Sequence, residues 1–147
     1  MENRKDHSRI GIELGIITRR WRARMDKRLA FLGLTQAKWV PLRYLLSAGG
    51  SMPQRKLVEQ TGVEGPSLVR ILDGLEKLGL IERRDCDADR RAKTIFLTDK
   101  AEPIMDSIIQ QADLLREEIL DSIPDRDIAV FRKVLAQMLH NMETIAS

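Results

Sequence analysis

The stretch GVEGPSLVRILDGLEKLGLIERRDCDADRRAKTIFLTDKAEP, residues 62–103, decides the fold. Gly62 supplies a tight turn, and Pro66 starts a segment in which Leu68, Leu72 and Leu75 fall in one sector at about 100° per residue, the period of an α-helix. Ser67, Arg70, Gly74 and Lys77 lie on the opposite side, so the outer face of this helix is polar and slender. Gly79 closes it near Leu78, and the period then changes. Leu80–Arg84 and Lys93–Thr98 read as short strands, the second alternating Lys93, Ile95 and Leu97 against Thr94, Phe96 and Thr98. Residues 85–92 between them are too charged to be core, which makes the pair a hairpin with a projecting tip.

Upstream, Ser51 is a cap and Pro53 an opening for a short helix ending near Gln60, and with the Gly62 turn this gives helix, turn, helix. Thr35 caps an earlier helix, Gln36 to Leu46, closed by Gly49 and Gly50. Before it, Ile10, Leu14, Ile17, Trp21, Met25 and Leu29 recur at three- and four-residue spacings along a long amphipathic helix from Ser8 to about Phe31, ended by Gly33. Downstream of Asp99 the helical period returns in a stripe from Ile104 to Ile119. Pro124 breaks it, and a last stripe runs from Phe131 to Ile145. The expected fold is therefore mainly α with a small β-hairpin wing (α+β). It is a winged helix-turn-helix over residues 35–98, with long N-terminal (1–34) and C-terminal (99–147) helices for dimerisation.

The 147 residues, 43% hydrophobic and 32% charged, suit one globular domain, and with 4% aromatics the core must be aliphatic. No run approaches a membrane span, and no apolar signal region follows the charged start, so a cytoplasmic protein is expected. One cysteine, Cys86, and two histidines, His7 and His140, exclude disulfide frameworks and zinc fingers, and no metal or cofactor is expected. Phosphate-loop, zinc-protease, nucleophile-elbow and dinucleotide motifs are absent from the sequence, so catalysis is not expected. The net charge of +3 conceals an asymmetry. Residues 1–98 carry 20 basic against 12 acidic side chains, residues 99–147 carry 5 against 10, and a basic body of this kind suits a polyanionic partner.

A helix entering the DNA major groove needs short or flat donors near its N-terminus, and arginine bonds guanine O6 and N7 bidentately. Pro66, Ser67, Arg70 and Lys77 are accordingly the helix candidates for contact with double-stranded DNA. The hairpin tip adds Asp89, Arg90 and Arg91, since arginine is drawn into narrow, A·T-rich minor grooves. An ordinary amphipathic surface helix and a merely solubilising arginine pair account for the same residues. So does a winged-helix module that docks a protein, although such a face more often carries exposed apolar residues than Arg70 and Arg90. Architectural DNA binding without any effector is a further alternative.

The 62–103 stretch resembles the helix and wing of the MarR family of bacterial transcription regulators, in particular its SlyA branch. LTQAKWVPL, residues 34–42, and the flanking helices extend the likeness over nearly the whole chain. The resemblance implies an obligate homodimer on an inverted-repeat operator, in the cytoplasm and on the nucleoid when bound, often relieved by a small phenolic or aromatic acid. By position it makes Ser67 and Arg70 base-contacting and Arg90 the minor-groove arginine, with Asp89 and Arg91 bracing the wing. It also makes Arg19, Trp39, Arg43 and Arg70 the lining of a ligand cleft. A histidine is more usual in that branch where this chain has Arg43. Trp39 and Arg43, four apart, share a helix face, giving an aromatic surface beside a guanidinium that suits a benzoate-like or phenolic acid.

Dimerisation is expected without the resemblance as well. The stripes on the first and the last two helices carry more apolar surface than one small layer can hide, and a second subunit is the natural cover. Cys86 reads as an incidental thiol, because Asp85 and Asp87 disfavour a thiolate, and His140 has no ligand-spaced partner.

Overall fold

The computed structural model describes residues 7–86 and 89–145, with the backbone alone for Cys86 and residues 89–91. The elements are α1 (Ile10–Arg28), a 3₁₀ turn (Ala30–Leu32), α2 (Gln36–Ser47), β1 (Ser51–Pro53), α3 (Gln54–Thr61), α4 (Gly65–Lys77), β2 (Ile81–Cys86) and β3 (Asp89–Leu97). A second 3₁₀ turn (Asp99–Ala101), α5 (Glu102–Ile119) and α6 (Asp125–Thr144) follow. The chain is thus mostly helical with one small antiparallel sheet, in the order of a winged helix-turn-helix between long helices. It forms two compact units, Met1–Leu115 and Arg116–Ser147.

The first unit is organised around leucines. Leu42 and Leu45 of α2, Leu57 of α3, and Leu68, Leu72 and Leu75 of α4 are fully buried together with Leu80 and Ile81 at the start of the hairpin and Ile95 of β3. The three α4 leucines are the sector picked out by the helical period, and that period decides the rotation of α4 about its axis. Gly62 adopts φ 67°, a left-handed conformation that costs a side-chain-bearing residue about 1–2 kcal/mol, and so reverses the chain between α3 and α4. Thr61 accepts from the Val63 N–H at 3.4 Å and donates to the Leu57 carbonyl at 2.7 Å, closing the same turn. Met105, Ile108, Ala112 and Leu115 are the buried stripe of α5, whereas α1 buries only Met25.

Three expectations need correction. Ser51 and Pro53 do not cap and open α3. They form β1, an edge strand pairing Ser51 with Phe96, Met52 with Ile95 and Pro53 with Thr94, so the wing hairpin belongs to a three-stranded sheet in the order β1-β3-β2. Proline is tolerated there because an edge strand can spare an N–H, and its extended ψ of 137° hands the chain to α3 at Gln54. The hairpin arms also run further than the apolar alternation, to Cys86 and from Asp89, because backbone pairing continues through charged positions such as Asp85 opposite Lys93. Finally, the first helix stops at Arg28, and Ala30–Leu32 form a 3₁₀ turn before Gly33.

Candidate nucleic-acid interface

With its leucine face sealed, α4 leaves Pro66, Ser67, Arg70 and Lys77 exposed on the other side. Pro66 stands at the start of the helix, where its fixed φ is already helical and its missing N–H is one the first turn leaves unbonded. Arg70 and Lys77 have no ion pair among the described residues, so both cations are available to a partner. Lys38 joins them from α2. Its Cε lies 3.5 Å from where a Cβ at Gly74 would stand, so the lysine stem crosses α4 over this glycine and adds an ammonium to the same face. Nothing in the spacing of α2 ties Lys38 to α4, and it escaped the sequence reading.

The other flank of α4 is acidic, and it is engaged by the wing. Arg83 of β2 donates from Nε to Glu76 Oε2 at 3.0 Å and from Nη2 to Asp73 Oδ1. The hydrogen bond to Glu76, reinforced by Asp73, holds the guanidinium above its ordinary pKa against a partly opposing burial. This contact follows from strand alternation: Ile81 and Arg83 share a face, and Arg83 sits opposite the buried Ile95. On the opposite face Arg84 pairs with Glu82 at 2.9 Å and stacks its guanidinium 4.3 Å from the Phe96 ring. Lys93 pairs with Asp85 across the hairpin. The backbones of Asp89, Arg90 and Arg91 belong to β3, and their side chains, like that of Cys86, lie outside the described part of the structure. His140 is exposed on α6.

A cavity of about 280 Å³ opens between α1 and α2, lined by Trp21, Arg22, Trp39, Val40, Arg43, Tyr44 and Ser47. It brings together Trp39 and Arg43 of the expected cleft. Arg19 and Arg70 are not among its lining residues: Arg19 is exposed and folds back to 3.3 Å from the Cβ position of Gly15 on its own helix, and Arg70 is on the outer face of α4. Trp39 is only 2% exposed, and its indole N–H donates to Asp26 Oδ1 at 3.2 Å, so it forms the floor of the cavity. The half-buried Trp21 and Tyr44 supply the more accessible rings. Trp21 lay in the apolar stripe of α1, and periodicity alone does not separate a core indole from one at a cavity rim.

The chain is similar to known proteins. A family model described as the MarR family matches residues 32–92. The crystal structure of a transcriptional regulator designated PA3341 is 42% identical over 92% of this chain and 98% of its own, with a TM-score of 0.85. A MarR-family regulator from Silicibacter pomeroyi is 29% identical over 87% of this chain and 86% of its own, with a TM-score of 0.77. A MarR-family regulator from Listeria monocytogenes, solved with a 26mer DNA, shares the fold at 22% identity, with a TM-score of 0.81 over 90% of this chain and 88% of its own.

Proposed function

The chain belongs to the MarR family of transcriptional regulators, and from that premise we propose that it binds double-stranded DNA sequence-specifically, as a homodimer on an inverted-repeat operator. The observation that carries this reading is the outer face of α4, where Ser67 and Arg70, which has no ion pair among the described residues, stand exposed on the side opposite a fully buried leucine row. The Listeria relative was solved with a 26mer DNA, which supports DNA as the partner. Selection from random duplexes at fixed salt tests it: a palindrome with half-sites about one helical turn apart is expected, and enrichment of no motif overturns sequence specificity. Within the family we place the chain in the SlyA-like branch, on GPSLVR at 65–70 followed by DADRRAK at 87–93. The protein acts in the cytoplasm, on the nucleoid when bound, and has no catalytic role. No helix among the described residues is long and apolar enough to cross a membrane.

Arg90 is the minor-groove arginine of this reading, with Asp89 and Arg91 bracing the wing. Arg90→Ala weakens binding most on operators with A·T-rich flanks, where groove narrowing deepens the negative potential. Replacing the flanks by G·C hides the defect. Titration of both proteins on both flanks checks this, and an equal loss on the two flanks assigns Arg90 elsewhere.

The cavity beside Trp39 suits a small aromatic carboxylate or phenolic ligand, with Arg43 and Arg22 as cations and Trp21 and Tyr44 as ring partners. A bound acid lowers DNA affinity if it binds the DNA-free form more tightly. Titrating a salicylate-like acid to millimolar concentration is expected to quench tryptophan fluorescence and weaken operator binding by about tenfold, an energy of ~1.4 kcal/mol. Trp21→Phe and Trp39→Phe separate the two fluorophores. An unchanged operator affinity together with an unchanged spectrum removes the effector and leaves effector-independent DNA binding.

A further inference from the structure

We propose that Arg83 is an electrostatic mask: by engaging Asp73 and Glu76 it keeps two carboxylates of the recognition helix from repelling the DNA backbone, without itself touching DNA. The inference rests on the reading of α4 as the DNA-contacting helix. Its ground is the sorting of charge over residues 70–93. Among the described residues, the carboxylates of this segment, Asp73, Glu76, Glu82 and Asp85, each have a cationic partner, namely Arg83 for the first two, Arg84 and Lys93. Among the described residues, Arg70 and Lys77 of this segment have no ion pair, and they and Lys38 of α2, which also has none, lie at the outer face of α4. On a helix of 3.6 residues per turn, Asp73 lies about 60° around from Arg70, close enough for its charge to act on any phosphate that Arg70 approaches.

A purely mechanical role is the competing account, and the packing argues against it. The junction between α4 and β2 is already fixed. Leu80 and Ile81 are buried, the Leu80 N–H donates to the Leu75 carbonyl at 3.0 Å, and the Thr98 hydroxyl donates to the Gly79 carbonyl. An ion pair whose arginine side chain is 22% exposed and whose carboxylates are about half exposed adds little stiffness to such a joint. Its charge is another matter. With Arg83 present the trio carries a net charge of −1, and without it −2, and a Debye length of about 8–10 Å lets that difference act on phosphates lying beside the helix. A homodimer counts that difference twice.

The test measures binding to a mixed-sequence duplex of about three helical turns by fluorescence anisotropy at roughly 0.05 and 0.2 M salt. Arg83→Gln is expected to bind roughly five- to tenfold more weakly at the lower salt, with the deficit shrinking at the higher one. Arg83→Gln combined with Asp73→Asn and Glu76→Gln abolishes every ion pair of the trio yet removes its charge, and is expected to bind at least as tightly as wild type. Asp73→Asn with Glu76→Gln, keeping Arg83, is expected to bind more tightly than wild type, and this variant needs no rescue. Arg83→Lys, which retains the charge but not the fork geometry, stays close to wild type. A neutral triple variant as weak as Arg83→Gln, with an unchanged melting temperature, overturns the mask and makes Arg83 a brace. A wild-type protein that binds neither this duplex nor a selected operator removes the DNA reading itself, and the mask with it.

Discussion

Deleting Asp127 to Ser147 is expected to abolish the proposed dimer and, with it, tight operator binding. Among its described residues α6 has none buried, yet Val130, Phe131, Val134, Leu139 and Met142 are apolar and exposed along it, a stripe that water does not tolerate uncovered. In the proposed dimer a second subunit covers the stripe. Ile10, Ile12 and Ile17 of α1 are exposed in the same way and extend the apolar surface available for association. The buried core residues all lie at or before Leu115, so the truncated chain keeps the packing around α4 and its loss of function is not an unfolding. Each monomer then meets one half-site alone. Losing the tethered second contact costs roughly 10²- to 10⁴-fold in operator affinity, the usual scale of avidity between linked sites. Sedimentation velocity reads the oligomeric state and a gel shift the affinity. A truncated chain that remains dimeric at micromolar concentration moves the interface to α1 and α5.

Arg70→Ala is expected to cost about 1–3 kcal/mol at one or two base pairs of each half-site, the worth of a bidentate base contact, and a two-fold complex incurs it twice. The residue is exposed, outside the core and without an ion pair among the described residues, so truncation leaves no buried group unpaired and the folded protein loses almost nothing. Specific binding therefore falls by roughly thirtyfold to 10⁴-fold, whereas binding to random duplex falls only by the several-fold that the loss of one cation per subunit costs, and sequence preference relaxes at the contacted pairs. Competition between operator and random DNA at fixed salt measures the ratio. An equal loss on both would show that Arg70 holds phosphate only.

Why some of this was legible in the sequence follows from how strongly each feature is encoded. Leu68, Leu72 and Leu75 define the buried side of α4 by periodicity alone, and everything polar on α4 then follows by rotation. The hairpin was visible through Ile95 and its neighbours, but its outer arms carry Asp85, Asp89 and other charged residues that pair through backbone atoms, which no apolar pattern reports. β1 was hidden for a related reason. Three residues ending in proline carry no alternation, and the strand exists only because β3 lies beside it. The same limit applies to side chains that meet across elements. Arg83 reaching Asp73 and Glu76 was accessible in principle, because strand parity places Arg83 on the face of Ile81 and the two acids stand three apart on α4. Lys38 over Gly74 was not, since it depends on the crossing of two helices. Trp39 and Arg43 line one cavity, but Trp21, Arg22 and Tyr44 line it with them, and of these the sequence placed only Trp21, in the apolar stripe of α1.

The sheet that carries the wing has two free edges, and each is closed to further growth. β1 offers three residues and terminates in Pro53, which has no N–H to donate, while β2 displays Glu82, Arg84 and Asp85 along its length. A strand from another molecule that tried to extend the sheet would find too few donors on one side and fixed charge on the other. The wing can therefore stand free for the proposed contact with DNA without becoming a template for aggregation between copies.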